Sequence, residues 1–395
     1  MKSFTVGLTV KLYSDGVASI VPDLTTRVNT FEPVDPESVC PYGMLCWLPL
    51  AKEDPLTDQP NGPVNDGRTL RIGVLGAARI ARNALLAPAH DIQDVLVTVV
   101  GAREPARARE FASRHGISSA VAGYESVLRH PEVDAVYIPL PNGLHAEWAI
   151  KAVQAGKPVL SEKPFTANEM QARRVAEAAA ASRVPVMQAF HYRYHPFFGQ
   201  LRDVIRSGEL GTLRSIEITL CAPIPPGKDI RWDFGLAGGS MMDLGSYAAH
   251  MARHLSGEEP AVVSAQAKTV RDSRLDRWTR AELAFPSGYR GTLTVGMWSA
   301  RFLQLSLKVI GERGSMRVLN PLMPQVLGRA SIRTDGGTRH LRAAKRSSYS
   351  YQLESFRDAV LHGGPVLTDG PDAVATMKMI DDVYLAAGLP LRPGE

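Results

Sequence analysis

The sequence has few cysteines, no long apolar run and no cluster of basic residues, and each of these absences excludes a class of protein. The three cysteines, Cys40, Cys46 and Cys221, are too few and too scattered for a disulfide framework or a zinc cluster. No apolar stretch approaches the roughly 18 residues that a membrane-spanning helix needs. The net charge is only +5, and the basic residues are not gathered as they are in a nucleic-acid-binding surface. We therefore expect a cytoplasmic protein with reduced thiols and no metal site, which binds neither nucleic acid nor a membrane.

The remaining composition is that of a globular protein with more than one domain. Hydrophobic residues make up 45% of the chain and charged residues 22%, so the 395 residues can bury an ordinary core. At about 150 residues per domain, this length predicts two or three units. Residues 1–67 are rich in proline and aspartate and show no helical period, which indicates an irregular leader. A short hairpin is possible within it, around Ser14-Asp15-Gly16.

From Leu70 to about residue 190, short apolar strands alternate with amphipathic helices. The predicted strands are Leu70–Leu75, Val95–Val100, Val133–Leu140, Pro158–Leu160 and Val184–Ala189. The predicted helices are a run that ends near Ala89, Pro105–His115, Leu144–Ala155 and Asn168–Ser182. This alternation predicts a parallel sheet with helices on both faces, in a domain of residues 68–190.

After about residue 191 the strands follow one another with few helices between them. The predicted strands are Leu213–Ala222, Ala261–Val270, Arg280–Phe285, Tyr289–Met297 and Leu303–Ile310. The predicted helices are Pro196–Ser207, Gly239–Leu255, Tyr351–Leu361 and Asp372–Ala387. This order predicts an α+β domain over residues 191–370 with a mainly antiparallel open sheet, and a closing helix in residues 371–395 that packs back at the domain junction.

The first candidate site is the turn Gly76-Ala77-Ala78-Arg79-Ile80, where the first strand runs into the first helix. A dinucleotide pyrophosphate is bound by backbone amides at a helix N-terminus and needs small residues for close approach. Gly76 supplies the tight turn, while Ala78 and Ala81 stand in the second and third glycine places of the fingerprint. The alternative interpretation is a plain strand-to-helix turn.

The end of the second strand indicates which dinucleotide is preferred. An NAD site offers a carboxylate to the ribose 2′-hydroxyl about 20 residues after the glycine turn, whereas an NADP site offers an arginine to the 2′-phosphate. Here the place of the carboxylate is taken by Ala102, and Arg103 follows it. We therefore predict NADP, with NAD possible, against the alternative that Arg103 is an ordinary surface cation.

The third feature is Glu162-Lys163-Pro164 at the carboxyl end of a predicted strand, where open α/β sheets bind their ligands. With this triplet the chain resembles the Gfo/Idh/MocA family of oxidoreductases. Three other segments carry the resemblance, and they are Pro139-Leu-Pro141-Asn142-Gly-Leu-His145, Phe190-His-Tyr192-Arg193-Tyr-His195-Pro196 and Gly238-Gly239-Ser-Met-Met-Asp243-Leu-Gly245-Ser-Tyr247.

The resemblance implies an N-terminal Rossmann domain, an NAD(P)-dependent dehydrogenase or reductase activity and a small-molecule substrate. The substrate would be a sugar, a polyol or a cyclic diol. In the family, the lysine of the triplet polarises the reacting oxygen, and a histidine or tyrosine four residues after an aspartate is the acid or base. Here these residues are Lys163, Tyr247 and Asp243, and the tyrosine suggests the glucose-fructose oxidoreductase, dihydrodiol and xylose dehydrogenase branch. The residues expected to bind the cofactor are Gly76, Ala78, Arg79, Ile80, Arg103, Pro141, Asn142, His145, Glu162, Lys163 and Arg193.

The chemistry of these residue types agrees with the implied roles. Oxidation of a carbinol requires a base to accept the hydroxyl proton, and a nearby ammonium favours the phenolate form of a tyrosine. Asp243 and Tyr247 are four residues apart and would share one face of a helix, with His250 three residues further on. For His250 alone, a satisfied polar residue is the more common interpretation.

Three other functions remain open at this level: an NAD-dependent glycosidase-type enzyme, a non-catalytic NADP-binding regulatory protein, and an imine or biliverdin-type reductase. The pairing of Lys163 with Tyr247 argues against the regulatory protein. The resemblance also implies assembly into a homodimer or homotetramer.

Overall fold

The computed structural model describes residues 8–12, 18–22 and 67–393. The first of its two units, residues 1–40, contains an antiparallel pair of strands, β1 (Leu8–Leu12) and β2 (Ala18–Pro22). This pair confirms the hairpin that the turn residues between the strands made possible. The rest of the predicted leader lies outside the described residues.

The second unit, residues 41–395, contains a six-stranded sheet whose strands are all parallel. Its strands are β3 (Leu70–Leu75), β4 (Val95–Ala102), β5 (Ser119–Ala122), β6 (Ala135–Ile138), β7 (Val159–Ser161) and β8 (Val186–Gln188). They lie in the order β5-β4-β3-β6-β7-β8, so the direction of winding reverses at β3. This is the order of a Rossmann domain, and it confirms the predicted parallel sheet.

Helices cover both faces of the parallel sheet. They are α1 (Ala87–His90, entered through a π turn at Arg82–Leu86), α2 (Pro105–His115), α3 (Glu125–Leu128), α4 (His145–Gln154) and α5 (Glu169–Ser182). The start of α5 is capped by the side chain of Asn168, which accepts a hydrogen bond from the amide of Gln171. Because both faces are covered, alternate residues of the strands enter two separate cores, and the strands are mainly apolar.

The sequence did not predict β5 or α3. Strand β5 has the sequence Ser-Ala-Val-Ala and lies at the edge of the sheet. It has only four residues, which are small and partly buried or exposed, so the sequence contains no apolar run that would predict it.

A second sheet has eight strands, and all but one of its neighbouring pairs are antiparallel. Its strands are β9 (Leu213–Cys221), β10 (Ala261–Thr269), β11 (Asp276–Ala284), β12 (Arg290–Gly296), β13 (Gln304–Gly311), β14 (Gly314–Leu319), β15 (Arg329–Thr334) and β16 (Gly337–Arg342). Helices α6 (Pro196–Arg206) and α7 (Ser246–Ser256) accompany it. The predicted α+β domain with a mainly antiparallel sheet is confirmed, although β14 to β16 were not predicted, because their exposed, arginine-rich residues weaken the apolar alternation.

Two long helices close the chain, and they pack in different places. Helix α8 (Ser348–His362) places Leu353 and Phe356 in the core on one face of the parallel sheet. Helix α9 (Gly370–Ala386) contacts β8 of the first sheet and the helix α5 beside it, as well as β10 of the second sheet and helix α7. The boundaries at residues 68, 191 and 371 remain predictions. Within the described ranges, no helix combines the length and the apolarity that crossing a bilayer requires.

Candidate active site

Lys163 lies directly after β7, at the carboxyl edge of the parallel sheet. The peptide bond from Lys163 to Pro164 is cis. The lysine side chain is only 10% exposed, and its Nζ donates hydrogen bonds to Asp243 Oδ1 at 2.6 Å and to the main-chain oxygen of Asp243 at 3.1 Å. The ammonium therefore depends on both the side chain and the backbone position of residue 243.

Asp243 and Tyr247 come from the helical segment at the start of α7. The helix predicted over Gly239–Leu255 is confirmed, and the structure adds that a π turn at Met241–Gly245 precedes α7. A Cβ on Gly245 would collide with the side chain of Met241, so the glycine leaves the space that this methionine occupies. Short π segments of this kind often occur at functional sites.

The structure brings Tyr247 and Lys163 together. Tyr247 is 2% exposed, and Lys163 Nζ lies 4.9 Å from the centroid of its ring. Phe190 packs edge-on against the same ring, with the centroids 5.4 Å apart. An ammonium from the parallel-sheet domain and a tyrosine from the second domain thus converge at one point, as the sequence predicted.

Asp243 is shared between two cations. Burial raises the pKa of its carboxyl group, but the charges of Lys163 and Arg231 outweigh this effect and leave the pKa below its usual value. Arg231 Nε is 3.3 Å from Asp243 Oδ2, and Arg231 also binds Asp229. Sequence reasoning missed Arg231, because a single arginine in an irregular segment carries no recognisable pattern.

His191 is a second residue that sequence reasoning left without a role. Its ring lies 5.8 Å from that of Tyr247, and its Nδ1 is 2.8 Å from the hydroxyl of Ser348 in α8. Burial, and then the positive charge of Lys163, lower the pKa of His191 to about 3. The imidazole beside the site is therefore neutral at physiological pH.

His145 and Glu162 support the turn that carries Lys163. The two ring nitrogens of His145 lie 2.8 Å from the carbonyl oxygen of Pro164 and 2.7 Å from that of Leu140. Burial lowers the pKa of this histidine, against the effect of the two carbonyls. Glu162 accepts a hydrogen bond of 2.6 Å from the hydroxyl of Tyr137, and burial raises its pKa. Both predicted cofactor residues thus have structural partners inside the protein.

The predicted pyrophosphate turn lies along the same edge of the sheet. Gly76 follows β3 with φ of +113°, and a Cβ at this position would lie 2.9 Å from the side chain of Leu140. Ala78 and Ile80 are partly buried and Arg79 is exposed. A glycine with positive φ followed by two alanines fits a close approach by a dinucleotide.

Arg103 is exposed directly after β4, the neighbour of β3. Pro141 and Asn142 follow β6 on the other side of β3. Asn142 Nδ2 donates to the carbonyl oxygen of Ala237 at 2.9 Å. The amide of Gly143 donates to the carbonyl oxygen of Leu236 at 3.2 Å. The turn after β6 is therefore bound to the segment that carries Arg231.

Arg193 is not brought to the other predicted residues by any contact that the structure describes. Its guanidinium carbon lies 5.4 Å from the ring centroid of Phe198 at the start of α6. Its contact with the cofactor stays a prediction.

His250 is a satisfied buried residue. Its Nε2 is 3.0 Å from Asp372 Oδ2, its Nδ1 is hydrogen-bonded with the hydroxyl of Tyr192, and burial lowers its pKa to about 3. His254 joins the same carboxylate, so these three residues have the donor types of a metal site. Arg253 Nη1 already donates to Asp372 Oδ1 at 2.7 Å, which supplies the positive charge that the carboxylate needs.

Comparison with known proteins agrees with this geometry. Residues 70–190 match the oxidoreductase family with an NAD-binding Rossmann fold, and residues 198–317 match the GFO/IDH/MocA C-terminal domain. D-xylose 1-dehydrogenase (NADP(+)) 2 of Haloferax volcanii is 32% identical over 319 residues, which cover 80% of this chain and 97% of that enzyme. The dTDP-3,4-didehydro-2,6-dideoxy-alpha-D-glucose 3-reductase of Saccharopolyspora spinosa is 33% identical over 268 residues, which cover 68% of this chain and 80% of the reductase.

Solved structures show the same relationship. A 3-ketoreductase from Actinomadura kijaniata, crystallised with NADP and TDP-benzene, superposes with a TM-score of 0.75 at 29% identity. The match covers 81% of this chain and 98% of the ketoreductase. The order of the strands and the meeting of Lys163 with Tyr247 agree with these matches. The chain belongs to the Gfo/Idh/MocA family of oxidoreductases.

Proposed function

We propose that this protein is an NADP-dependent oxidoreductase that interconverts a carbinol and a carbonyl group on a sugar, a polyol or a cyclic diol. The observation that carries the proposal is the position of Lys163 Nζ, 2.6 Å from Asp243 Oδ1 and 4.9 Å from the ring centroid of Tyr247. The named relatives act on xylose or on a dTDP-linked keto sugar, and the ketoreductase structure contains NADP.

The carboxyl edge of the parallel sheet fits the cofactor. The turn from Gly76 to Ile80 would hold the pyrophosphate, and Arg103 would meet the 2′-phosphate. Pro141 and Asn142 would border the same crevice. When it is bound, the nicotinamide ring supplies or accepts the hydride.

The protein's own groups manage the proton and the charge on the reacting oxygen. In the reducing direction, the hydroxyl of Tyr247 donates a proton to the carbonyl oxygen as it becomes a hydroxyl. The ammonium of Lys163 stabilises the negative charge that develops on this oxygen. Asp243 holds the ammonium in place through two hydrogen bonds. In the oxidising direction, Tyr247 accepts the proton instead.

A substrate panel tests the proposal. Absorbance at 340 nm would be followed with NADP or NADPH and with aldoses, inositols, cyclic diols, 2-keto sugars and nucleotide-linked keto sugars. We expect turnover with at least one class, and a higher kcat/KM for NADPH than for NADH. NADPH binding without turnover of any compound would contradict the proposal and favour a regulatory protein, and cleavage of a glycoside without net NADPH consumption would favour the glycosidase-type enzyme.

Two further properties belong to the same proposal. We propose a cytoplasmic location and a homodimeric or homotetrameric assembly. Fractionation of the source cells and light scattering of the purified protein would test them, and a monomer at micromolar concentration would contradict the assembly.

A further inference from the structure

One buried carboxylate, that of Asp276 at the start of β11, accepts hydrogen bonds from five donors. The side chains of Asp276 and its ion-pair partner Arg392 are both fully buried. The donors are Ser240 Oγ at 2.6 Å, the amide of Met241 at 2.7 Å, Thr279 Oγ1 at 2.8 Å, the hydroxyl of Tyr384 at 3.1 Å and Arg392 Nη2 at 2.7 Å. The lone pairs of this carboxylate are therefore fully used, as a charge removed from water requires.

Arg392, in the segment after α9, connects the Asp276 carboxylate to the backbone of Gly238. Its Nε donates a hydrogen bond of 2.6 Å to the main-chain oxygen of Gly238, and its guanidinium carbon lies 3.9 Å from the ring centroid of Tyr384. Its own carbonyl oxygen accepts from Asn168 Nδ2 at 3.1 Å. The arginine is thus held on three sides and has little freedom to move.

These contacts all lead to the residues that begin the π turn. Gly239 has φ of +121°, and a Cβ there would collide with both Asp276 and Arg392. The amide of Asp243 donates to the carbonyl oxygen of Gly239 at 3.0 Å, and the amide of Gly239 donates to that of Arg231 at 2.9 Å. The ion pair therefore contacts the backbone of Gly238 and Met241, and the intervening Gly239 is hydrogen-bonded to the backbone of both Asp243 and Arg231.

The position of this backbone matters for Lys163. One of the two hydrogen bonds of its Nζ ends on the main-chain oxygen of Asp243. A shift of the π turn would move this acceptor, the Asp243 carboxylate and the ring of Tyr247 together. A misplacement of about 1 Å in a catalytic arrangement can cost about a hundredfold in rate.

We propose that Asp276 and Arg392 are positioning residues, which hold the π turn so that Asp243 and Tyr247 meet Lys163. The proposal rests on the proposed oxidoreductase function. An ion pair that only stabilised the fold would affect the melting temperature and leave catalysis by the folded fraction unchanged.

The test compares two buried arginines. Arg392→Met removes the proposed positioning contact, and Arg357→Met is the matched control. Arg357 is 7% exposed and donates to Asp94 at 2.8 Å, on the parallel-sheet side of the molecule. We expect both variants to melt at lower temperature. Only Arg392→Met should lose kcat, by about ten- to a hundredfold at a temperature where circular dichroism shows both folded, with the Kd for NADPH changed less than about threefold.

Milder variants keep the test decisive if Arg392→Met does not fold. Arg392→Lys retains the charge but cannot serve both Asp276 and Gly238, and it should recover part of the lost kcat. Thr279→Val removes one of the five donors and should lower kcat by roughly two- to tenfold. Normal kcat in folded Arg392→Met, or in both milder variants, would overturn the proposal. An equal loss of kcat in Arg357→Met would do the same.

Hydrogen–deuterium exchange separates this proposal from the oxidoreductase function. Peptides that span Gly239 to His250 should exchange at least about tenfold faster in Arg392→Met than in the wild type, and at the wild-type rate in Arg357→Met. If the wild type turned over no substrate, the proposed function would fail while the exchange result still showed whether the pair holds the turn. Unchanged exchange in this segment would reject the positioning role.

Discussion

The two sides of the candidate site are held in different ways. The backbone of Lys163 is positioned by neighbours in its own domain, because it follows an inner strand of the parallel sheet and the next residue is bound by His145. Asp243 instead lies in the π turn and Tyr247 lies just after it, and the start of this turn is held by a buried ion pair from distant parts of the chain, Asp276 and Arg392. The first side is built from strand ends, and the second depends on long-range contacts.

This difference affects how each side tolerates change. The end of a parallel strand is held by the hydrogen bonds of the sheet on both sides, so its position survives most single substitutions. A π turn has fewer regular contacts and needs external support. We therefore expect substitutions far from the site to disturb Tyr247 more readily than Lys163.

The largest expected effect is that of Tyr247→Phe, which removes the proposed proton donor on the second side. The phenyl ring keeps its packing against Phe190, so the variant should fold normally. We expect kcat to fall by about 10²- to 10⁴-fold, because general acid–base catalysis contributes this much. Steady-state kinetics at saturating NADPH would measure it. Tyr289→Phe, which removes a buried hydroxyl elsewhere in the second domain, is the control and should retain full kcat.

Lys163→Ala removes the charge on the first side. We expect a loss of about 10²- to 10³-fold in kcat with nearly unchanged NADPH binding, because the ammonium acts on the developing negative charge. Lys151→Ala, which breaks two ion pairs and a cation–π contact with Trp148 away from the site, should keep close to wild-type kcat. Near-normal kcat in Lys163→Ala would reject its assigned role.

A double variant asks whether the two sides act as one unit. If they do, the double variant Lys163→Ala with Tyr247→Phe should lose little more than the worse single variant, since residues that act together are not additive. Fully multiplicative losses would mean that the two groups act independently, in spite of the 4.9 Å between Lys163 Nζ and the Tyr247 ring.

Asp243→Asn tests the charge that joins the two sides. The pKa of Asp243 is lower in the folded state than in the unfolded state. Its ionised form therefore stabilises the fold at any pH above the unfolded-state pKa. This stabilisation is lost as the pH falls through the folded-state pKa. Loss of one partner of a buried pair costs about 3–5 kcal/mol. The gap in Tm between the wild type and Asp243→Asn should therefore be wide at pH 7 and narrow steadily below about pH 4.

The exposed pair of Asp272 with Arg274 provides the control for this pH dependence. Hydrogen bonds from Arg274 lower the pKa of Asp272 to about 2, but solvent screens the pair. Asp272→Asn should change Tm little at any pH. A gap for Asp243→Asn that did not depend on pH would contradict the charge argument.

The smallest expected effect is at Arg103, on the same side as Lys163. Arg103→Ala should lower the preference for NADPH over NADH by about tenfold, which corresponds to the loss of one charge-assisted hydrogen bond. The ratio of kcat/KM for the two cofactors measures it, and Arg109→Ala in α2 is the control. An unchanged ratio would make Arg103 an ordinary surface cation.

Most of the fold could be predicted because its signals are local. The run Leu70–Leu75 and helix α2, with Pro105 at its first turn and Gly116 after its end, show their boundaries in the sequence itself. Strands β5 and β16 were missed because they lack such a local signal. Their exposed or small residues give no periodic pattern.

The site was only partly predictable. The motifs around Lys163 and Tyr247 indicated both residues, and the structure brings them together. Arg231 and His191 were missed, because a single arginine or histidine outside any motif does not reveal which side chain it will meet. The cofactor contact of Arg193 stays a prediction, and its guanidinium carbon lies 5.4 Å from the ring centroid of Phe198.

The sequence by itself determined most of the strands and helices, the glycine turn, the lysine before proline and the tyrosine four residues after an aspartate. Each of these depends on residues within a few positions of one another. Only the tertiary structure decided that a π turn interrupts the second-domain helix and that Asp276 meets Arg392, 116 positions away. A buried charge must find its partner in space, and the distance between two residues along the chain says nothing about that meeting.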